Sequence, residues 1–375
     1  MQAVIVADKD KADWDRFVES NSGVISWHIY DWYKVYKGSY GLDYYPLAVH
    51  DGKKIRGILP LYHVRTHRTG SALISIPYVV AGGIVAVGDD VQKLLLERAI
   101  DLSRQMGSIP IILKQYKVRV DGDLITDAGY YNRELSLSPN IEDVWHQISE
   151  ENQGQIKATE QENLTLEYPS QDLNGFFRAL LKRHQIEGVP CPSKGWVRQL
   201  MITGLYVIAL LKRGDSVVAG TMAKTFKDTV SFPLTCLPSR EERREVYGYR
   251  LYWDLLSSLA EQGIRIAHSG RIPDSEEVPR YRLGWGGEKH RYYYQYYAYS
   301  GKDRIDEQTR EGPGHPQDGL DEDADRSLPT GRAYHCQAVP LTGIGIFEIA
   351  LLCEATERAI SCKHSGLSSS LIRDG

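Results

Sequence analysis

Two short arginine-bearing stretches offer the clearest chemistry in this sequence. Ser269-Gly-Arg271 closes an apolar run, and Arg280, Arg282, Lys289 and Arg291 follow within twenty residues. Guanidinium groups hold carboxylates and phosphates through paired hydrogen bonds, and they stabilise the oxyanion of an acyl transfer. Arg271 and Arg282 are the candidates for that role. The other basic residues alternate with Asp274, Glu276, Glu277 and Glu288 and read as a solvated, charge-balanced face. His184 could accept a proton from an attacking amine, although a histidine near a helix end is more often a surface residue. Cys191 lies between two prolines and lacks the histidine partner that a nucleophilic thiol needs. Val79-Val-Ala-Gly82-Gly83 could present backbone N–H groups to a ligand, or be a plain turn. No Walker loop, His-Glu-x-x-His helix or nucleophile elbow is present.

An internal repeat supplies the elements that would position these residues. Residues 45–60 and 207–222 each read as strand, glycine turn and strand, with a glycine inside the second strand (Gly57, Gly220). A further strand follows in each copy, Ala72–Pro77 and Thr229–Thr235. Next come amphipathic helices over Val91–Met106 and Tyr249–Gln262, stopped by Gly107 and Gly263. Strands at Ile109–Leu113 and Arg265–His268 close the copies. Hairpins mixed with helices predict an α/β (α+β) fold with a mixed sheet rather than a purely parallel one. Ile141–Asn163 reads as one polar amphipathic helix joining the halves. Tyrosine outnumbers phenylalanine 24 to 6. Tyr30, Tyr33, Tyr36 and Tyr40 take helical spacing, and Tyr292–Tyr299 forms a strand with tyrosine on both faces. Half-buried rings with wet hydroxyls suit a groove wall.

In this order the elements resemble two tandem GNAT (acyl-CoA N-acyltransferase-like) domains, and as a pair they resemble the FemABX-like (Fem-type) aminoacyltransferases. The most specific stretches are His184-Gln-Ile-Glu-Gly-Val-Pro, Ser269-Gly-Arg271 and Tyr281-Arg-Leu-Gly-Trp285-Gly-Gly. Leu59-Pro-Leu61 and Ser75-Ile-Pro-Tyr78-Val-Val-Ala-Gly-Gly83 add to these in the first half. Arg282 stands where the resemblance puts a lysine. No clear pyrophosphate loop lies between Ser239 and Tyr249. The resemblance implies an N-acyltransferase that forms an amide from an activated acyl donor and an amine. Aminoacyl-tRNA is the expected donor, acyl-CoA with a small-molecule amine is the alternative, and a non-catalytic binding module on the same fold is a third reading. The implied acceptor is a cell-wall (peptidoglycan) or surface-polysaccharide precursor, lipid-linked or nucleotide-linked. Arg282 and Arg271 are the expected catalytic residues. Tyr78, Gly82, Gly83, His184, Ser269, Tyr281 and Trp285 are the expected substrate contacts. No metal and no tightly bound cofactor are expected.

The 375 residues divide on this reading into GNAT-like domains over 1–140 and 141–300 and a tail over 301–375. The formal charge of −4 excludes a protein that coats nucleic acid by bulk attraction. It is unevenly spread. Residues 301–375 carry 8 basic and 13 acidic side chains, so the remainder is close to neutral. The stretch 301–331, rich in Asp, Glu, Gly and Pro, reads as disordered. Five cysteines without a Cys-x-x-Cys pair do not form a disulfide framework and suit a reducing, cytoplasmic compartment. Cys336, Cys353, Cys362, His335 and His364 have no standard zinc spacing. No run reaches the roughly 18 apolar residues of an integral membrane segment.

Overall fold

A computed structural model describes residues 1–299 apart from 53, 67–69, 188–190, 238–244 and 275–282. The tail over 301–375, with its expected disorder and its cysteines and histidines, lies outside the described residues. The first half runs β1 (Ala3–Ile5), α1 (Lys11–Ser20), α2 (Trp32–Tyr40), β2 (Asp43–Asp51), β3 (Lys54–Thr66), β4 (Gly70–Ile74), β5 (Val85–Ala86), α3 (Asp89–Gln105), β6 (Ile111–Tyr116) and β7 (Ile125–Ser136). Two short helices follow, α4 (Ile141–Trp145) and α5 (Glu150–Lys157). The second half runs β8 (Thr165–Ser170), α6 (Leu173–Glu187), α7 (Lys194–Ile202), β9 (Tyr206–Arg213), β10 (Ser216–Phe226), β11 (Thr229–Cys236), α8 (Glu245–Glu261), β12 (Ile266–His268), β13 (Ile272–Pro273) and β14 (Glu288–Tyr297). The fold is a mixed α/β sandwich of helices on one large sheet, as the hairpin pattern predicts.

Both predicted hairpins form. β2 pairs antiparallel with β3 and β9 with β10, and each pair carries a register shift. Gly57 is required where α3 crosses β3: a Cβ there would stand 2.6 Å from the Val91 side chain. The helix stripe Val91, Leu95, Ala99 and Leu102 can therefore pack close on Leu47, Leu59 and Leu113. In the second half Leu251, Leu255 and Leu259 of α8 pack on Ala209, Leu211, Ala219 and Ala223. The expected helix over Ile141–Asn163 is two helices. Ser149 breaks it: its N–H donates to Gly284 O at 2.8 Å, and its hydroxyl accepts from the Asn152 N–H to start α5.

The sheet order is β1-β2-β3-β4-β6-β14-β7-β12-β11-β10-β9-β8. Among the described residues each half contains one parallel pair, β4 with β6 and β11 with β12. The final strands are exchanged. β14, the end of the second half, lies between β6 and β7, while β7 pairs with β12. This exchange makes the two halves one continuous sheet, and Tyr292, Tyr294 and Tyr296 of β14 are buried in a core cluster with Ile74 and Ile112 of the first half.

Candidate active site

The parallel pair β11 and β12 is short. Its register runs only Thr229–Ile266, Val230–Ala267 and Ser231–His268, because β12 stops at His268 while β11 continues to Cys236. The strands part beyond that point, and a cavity of about 670 Å3 fills the gap. That volume suits a bound small molecule or the reacting end of a larger one. Phe232, Leu234 and Thr235 of β11 form one wall, and Ala267 to Arg271 form the opposite lip. The first half supplies Trp27, Tyr40 and residues 78–81, so both halves close over the same space.

The corresponding gap between β4 and β6 is plugged by its own chain. Ser75 N–H donates to Ile112 O at 2.9 Å, and the Gly82 and Gly83 N–H groups both donate to Lys114 O, at 3.0 and 2.9 Å. Lys114 Nζ donates back to Val79 O at 3.1 Å. Gly82 and Gly83 therefore use their N–H groups on β6 and are not cavity-lining residues. Tight packing explains the glycines: a Cβ at Gly82 would meet Ile76 at 2.5 Å, and one at Gly83 would meet Gln115 at 2.6 Å. The same plug forces Ile76 and Tyr78 to positive φ, 50° and 61°. Tyr78 lines the cavity, its ring centroid 5.0 Å from that of Tyr40.

Of the sequence-predicted residues, Tyr78, His184, Ser269, Arg271 and Trp285 line this one cavity. His184 comes from α6. Trp285 packs edge-on to Tyr252 of α8, with ring centroids 5.9 Å apart. Tyr281 and Arg282 lie outside the described residues. Arg271 is exposed at the rim, with its guanidinium 4.8 Å above the Tyr130 ring. Gly270, at φ 78°, turns the chain sharply between Ser269 and Arg271.

A buried polar network, not anticipated from the sequence, sets this lip. Asn132 of β7 is fully buried. Its Oδ1 accepts from Gly270 N at 3.1 Å and from Ser269 Oγ at 3.3 Å. Its Nδ2 donates to Tyr116 Oη at 2.6 Å and stands 3.0 Å from His268 Nδ1. Tyr116 donates in turn to Glu134 Oε1 at 2.6 Å. An amide N–H on Nδ1 makes that nitrogen the acceptor, so the neutral ring carries its hydrogen on Nε2. Burial lowers the His268 pKa, with Glu134 opposing, and so favours that neutral form. Burial would raise the Glu134 pKa, but hydrogen bonds from Tyr116 and Lys117 and the charge of Lys117 bring it below the usual value. His268 is thus equipped to donate a hydrogen bond rather than to take a proton. The strand-end position before Ser269-Gly-Arg271 was its one sequence signal.

His28 ties the two walls of the first half together. Its Nδ1 accepts from Ile25 N at 3.1 Å, so Nε2 carries the hydrogen and meets Gly83 O at 3.0 Å. Burial lowers its pKa from 6.5 to about 4, against the two backbone hydrogen bonds. The unfolded chain therefore binds a proton that the folded chain refuses between those values. Stability from this site is complete above about pH 6.5 and is lost as pH falls towards 4, by roughly 3 kcal/mol at most. Urea unfolding from pH 7 to pH 4 is expected to show a shallower acid loss in His28→Gln than in wild type. His63 and His268, both partly buried and lowered in the same direction, keep part of the slope in the variant.

Two parallel-paired half-sheets, each with a hairpin, a covering helix and a splayed gap, define a Fem-like tandem GNAT fold. Solved structures with this architecture agree. The crystal structure of FemX superposes with a TM-score of 0.60 at 10% identity, over 79% of this chain and 97% of that one. L-PGS from Bacillus licheniformis gives 0.51 at 13% identity, over 82% and 97%. A tandem GNAT protein from the clavulanic acid biosynthesis pathway gives 0.51 at 11%, over 78% and 97%. No protein-family profile and no curated protein sequence matches the chain. Among the described residues no helix is long and apolar enough to cross a membrane.

Proposed function

We propose that the protein is an N-acyltransferase whose reaction site is the gap between β11 and β12. One observation carries this reading: the only parallel pair whose gap is left open by its own chain ends, among the described residues, in His268, Ser269 and Arg271 around a cavity closed by both halves. The chemistry needs an activated acyl ester and an amine held together, and an oxyanion stabilised as the amine adds. The Arg271 guanidinium and the His268 Nε2–H, whose nitrogen stands 4.0 Å from Glu134 Oε1, are the groups that would face the developing oxyanion. The neutral amine adds and forms the C–N bond, the ester C–O bond then breaks, and the proton lost by the nitrogen passes through solvent to the departing oxygen, restoring the donor's hydroxyl.

The favoured donor is aminoacyl-tRNA, with an amine on a cell-wall or surface-polysaccharide precursor as acceptor. FemX as a structural relative supports that choice, as does the sequence over 239–249, which lacks the glycine-rich loop suited to a CoA pyrophosphate. The division into GNAT-like units over 1–140 and 141–300, with strands exchanged between them, belongs to the same proposal. Titration calorimetry tests the donor. CoA and acetyl-CoA are expected to give no heat of binding, and tight CoA binding would replace aminoacyl-tRNA with acyl-CoA as the donor.

A further inference from the structure

Lys224 is a cavity-lining group that the proposed reaction does not use, and its setting is unusual. Gly220, Met222 and Lys224 alternate along β10, so Lys224 takes an inward place where the strand pattern calls for an apolar residue. Its side chain is 1% exposed. Nζ lies 2.9 Å from the Trp27 ring centroid, 4.9 Å from that of Trp32 and 5.2 Å from that of Tyr206. Nζ has no hydrogen-bond partner, and no carboxylate is placed against it among the described residues. Trp32 Nε1 and Tyr206 Oη, in the same cluster, are also buried without partners. Three aromatic faces attract the ammonium but offer no lone-pair acceptor to its three N–H bonds. A buried, unpaired ammonium is unfavourable until a partner arrives. Lys224 also lines the cavity, so the cavity is the side from which a partner can come.

We propose that Lys224 anchors a carboxylate of the molecule that fills the cavity, a ligand with an aromatic or apolar body and one negative charge at that end. This rests on the reading of the cavity as the substrate site. The cage walls explain the choice of a monoanion. Indole and phenol faces surround a single cation here, which balances a carboxylate and leaves half of a phosphate dianion unmatched. Burial pushes the Lys224 pKa well below its usual range, and an anion at Nζ restores the charged form. The apolar walls, Tyr78, Val79 and Trp196, would receive the rest of the ligand.

Calorimetry with phenylacetate, phenylacetamide and phenyl phosphate tests the assignment without requiring turnover. Wild type is expected to bind phenylacetate at least about tenfold more tightly than the isosteric amide, the scale of one charge-assisted hydrogen bond. Lys224→Met is expected to abolish that preference while keeping its melting temperature at or above that of wild type, because a buried amine without a hydrogen-bond partner has been removed. If this variant fails to fold, Lys224→Gln provides the same loss of charge with a polar end. Equal binding of acid and amide by wild type would overturn the proposal, as would undetectable binding of phenylacetate at millimolar concentration. A preference that survives in the folded variant, or tighter binding of phenyl phosphate, would overturn it as well. The proposal can fail in this way while Arg271 still proves necessary for transfer, and transfer can fail while the acid preference holds.

Discussion

Replacing Arg271 with alanine is expected to lower kcat/KM for amide formation by about 100-fold, the usual loss on removing one donor from an oxyanion site. The residue is exposed at the cavity rim, so its loss removes little packing. Its position is set from behind by Gly270, whose N–H is held by Asn132, and from the side by the Tyr130 ring beneath the guanidinium. Melting temperature should change by only a degree or two, since exposed substitutions rarely exceed about 0.5 kcal/mol. Arg271→Lys keeps the charge but loses the planar fork, and it should recover part of the activity. Steady-state kinetics on both variants provide the check. Unchanged turnover in Arg271→Ala would favour the non-catalytic binding module.

The second large effect is expected at Asn132. Alanine there leaves Tyr116 Oη, His268 Nδ1, Gly270 N and Ser269 Oγ without the partner that each now has. Unmade buried hydrogen bonds cost about 1 kcal/mol each, which over these four amounts to about 4 kcal/mol of stability. The site should suffer more than the fold. Without the amide donor, His268 is free to adopt the other tautomer, and the Ser269–Arg271 turn loses its anchor. Asn132→Asp separates the two effects. The carboxylate keeps the size and still accepts from Gly270 and Ser269, but it can no longer donate to His268. It should raise the pKa of His268 by favouring the imidazolium, shifting the pH profile of turnover towards alkaline pH. Denaturant unfolding measures the first effect and a pH–rate profile the second. An unaltered profile in a stably folded Asn132→Asp would remove His268 from the account.

The local architecture is readable from the sequence because local rules dictate it. Gly52 and Gly214 turn the hairpins at φ 61° and 55°, and Gly107 and Gly263 end the two long helices. Tyr78, His184, Ser269, Arg271 and Trp285 converge because each sits at an element end facing the same gap. The long-range features escape this kind of reading. Nothing in the period-two pattern of Glu288–Tyr297 says that it will insert between β6 and β7, since an inward tyrosine face suits any buried strand. The helix break at Ser149 depends on a carbonyl 135 residues later, at Gly284. The double glycine at 82–83 has two physical uses, free N–H groups for a ligand or close approach to Lys114, and only the fold chooses between them. Asn132 and Lys224 look like ordinary strand residues until their neighbours arrive from distant parts of the chain. Lys224 alone left a trace, as a charge at an inward position of β10.

The central claim is that this cavity forms amides from an activated acyl donor. The most direct measurement incubates the full chain with charged tRNA carrying isotope-labelled amino acids and with extracted nucleotide-linked and lipid-linked sugar precursors. Mass spectrometry then follows the acceptors, with hydroxylamine treatment to distinguish amides from esters. The account predicts a labelled aminoacyl mass added to a precursor, stable to hydroxylamine, with free tRNA released and the rate greatly reduced in Arg271→Ala. No transfer from any aminoacyl-tRNA, nor from acyl-CoA supplied in a parallel incubation, or equal transfer by the Arg271→Ala protein, would contradict it.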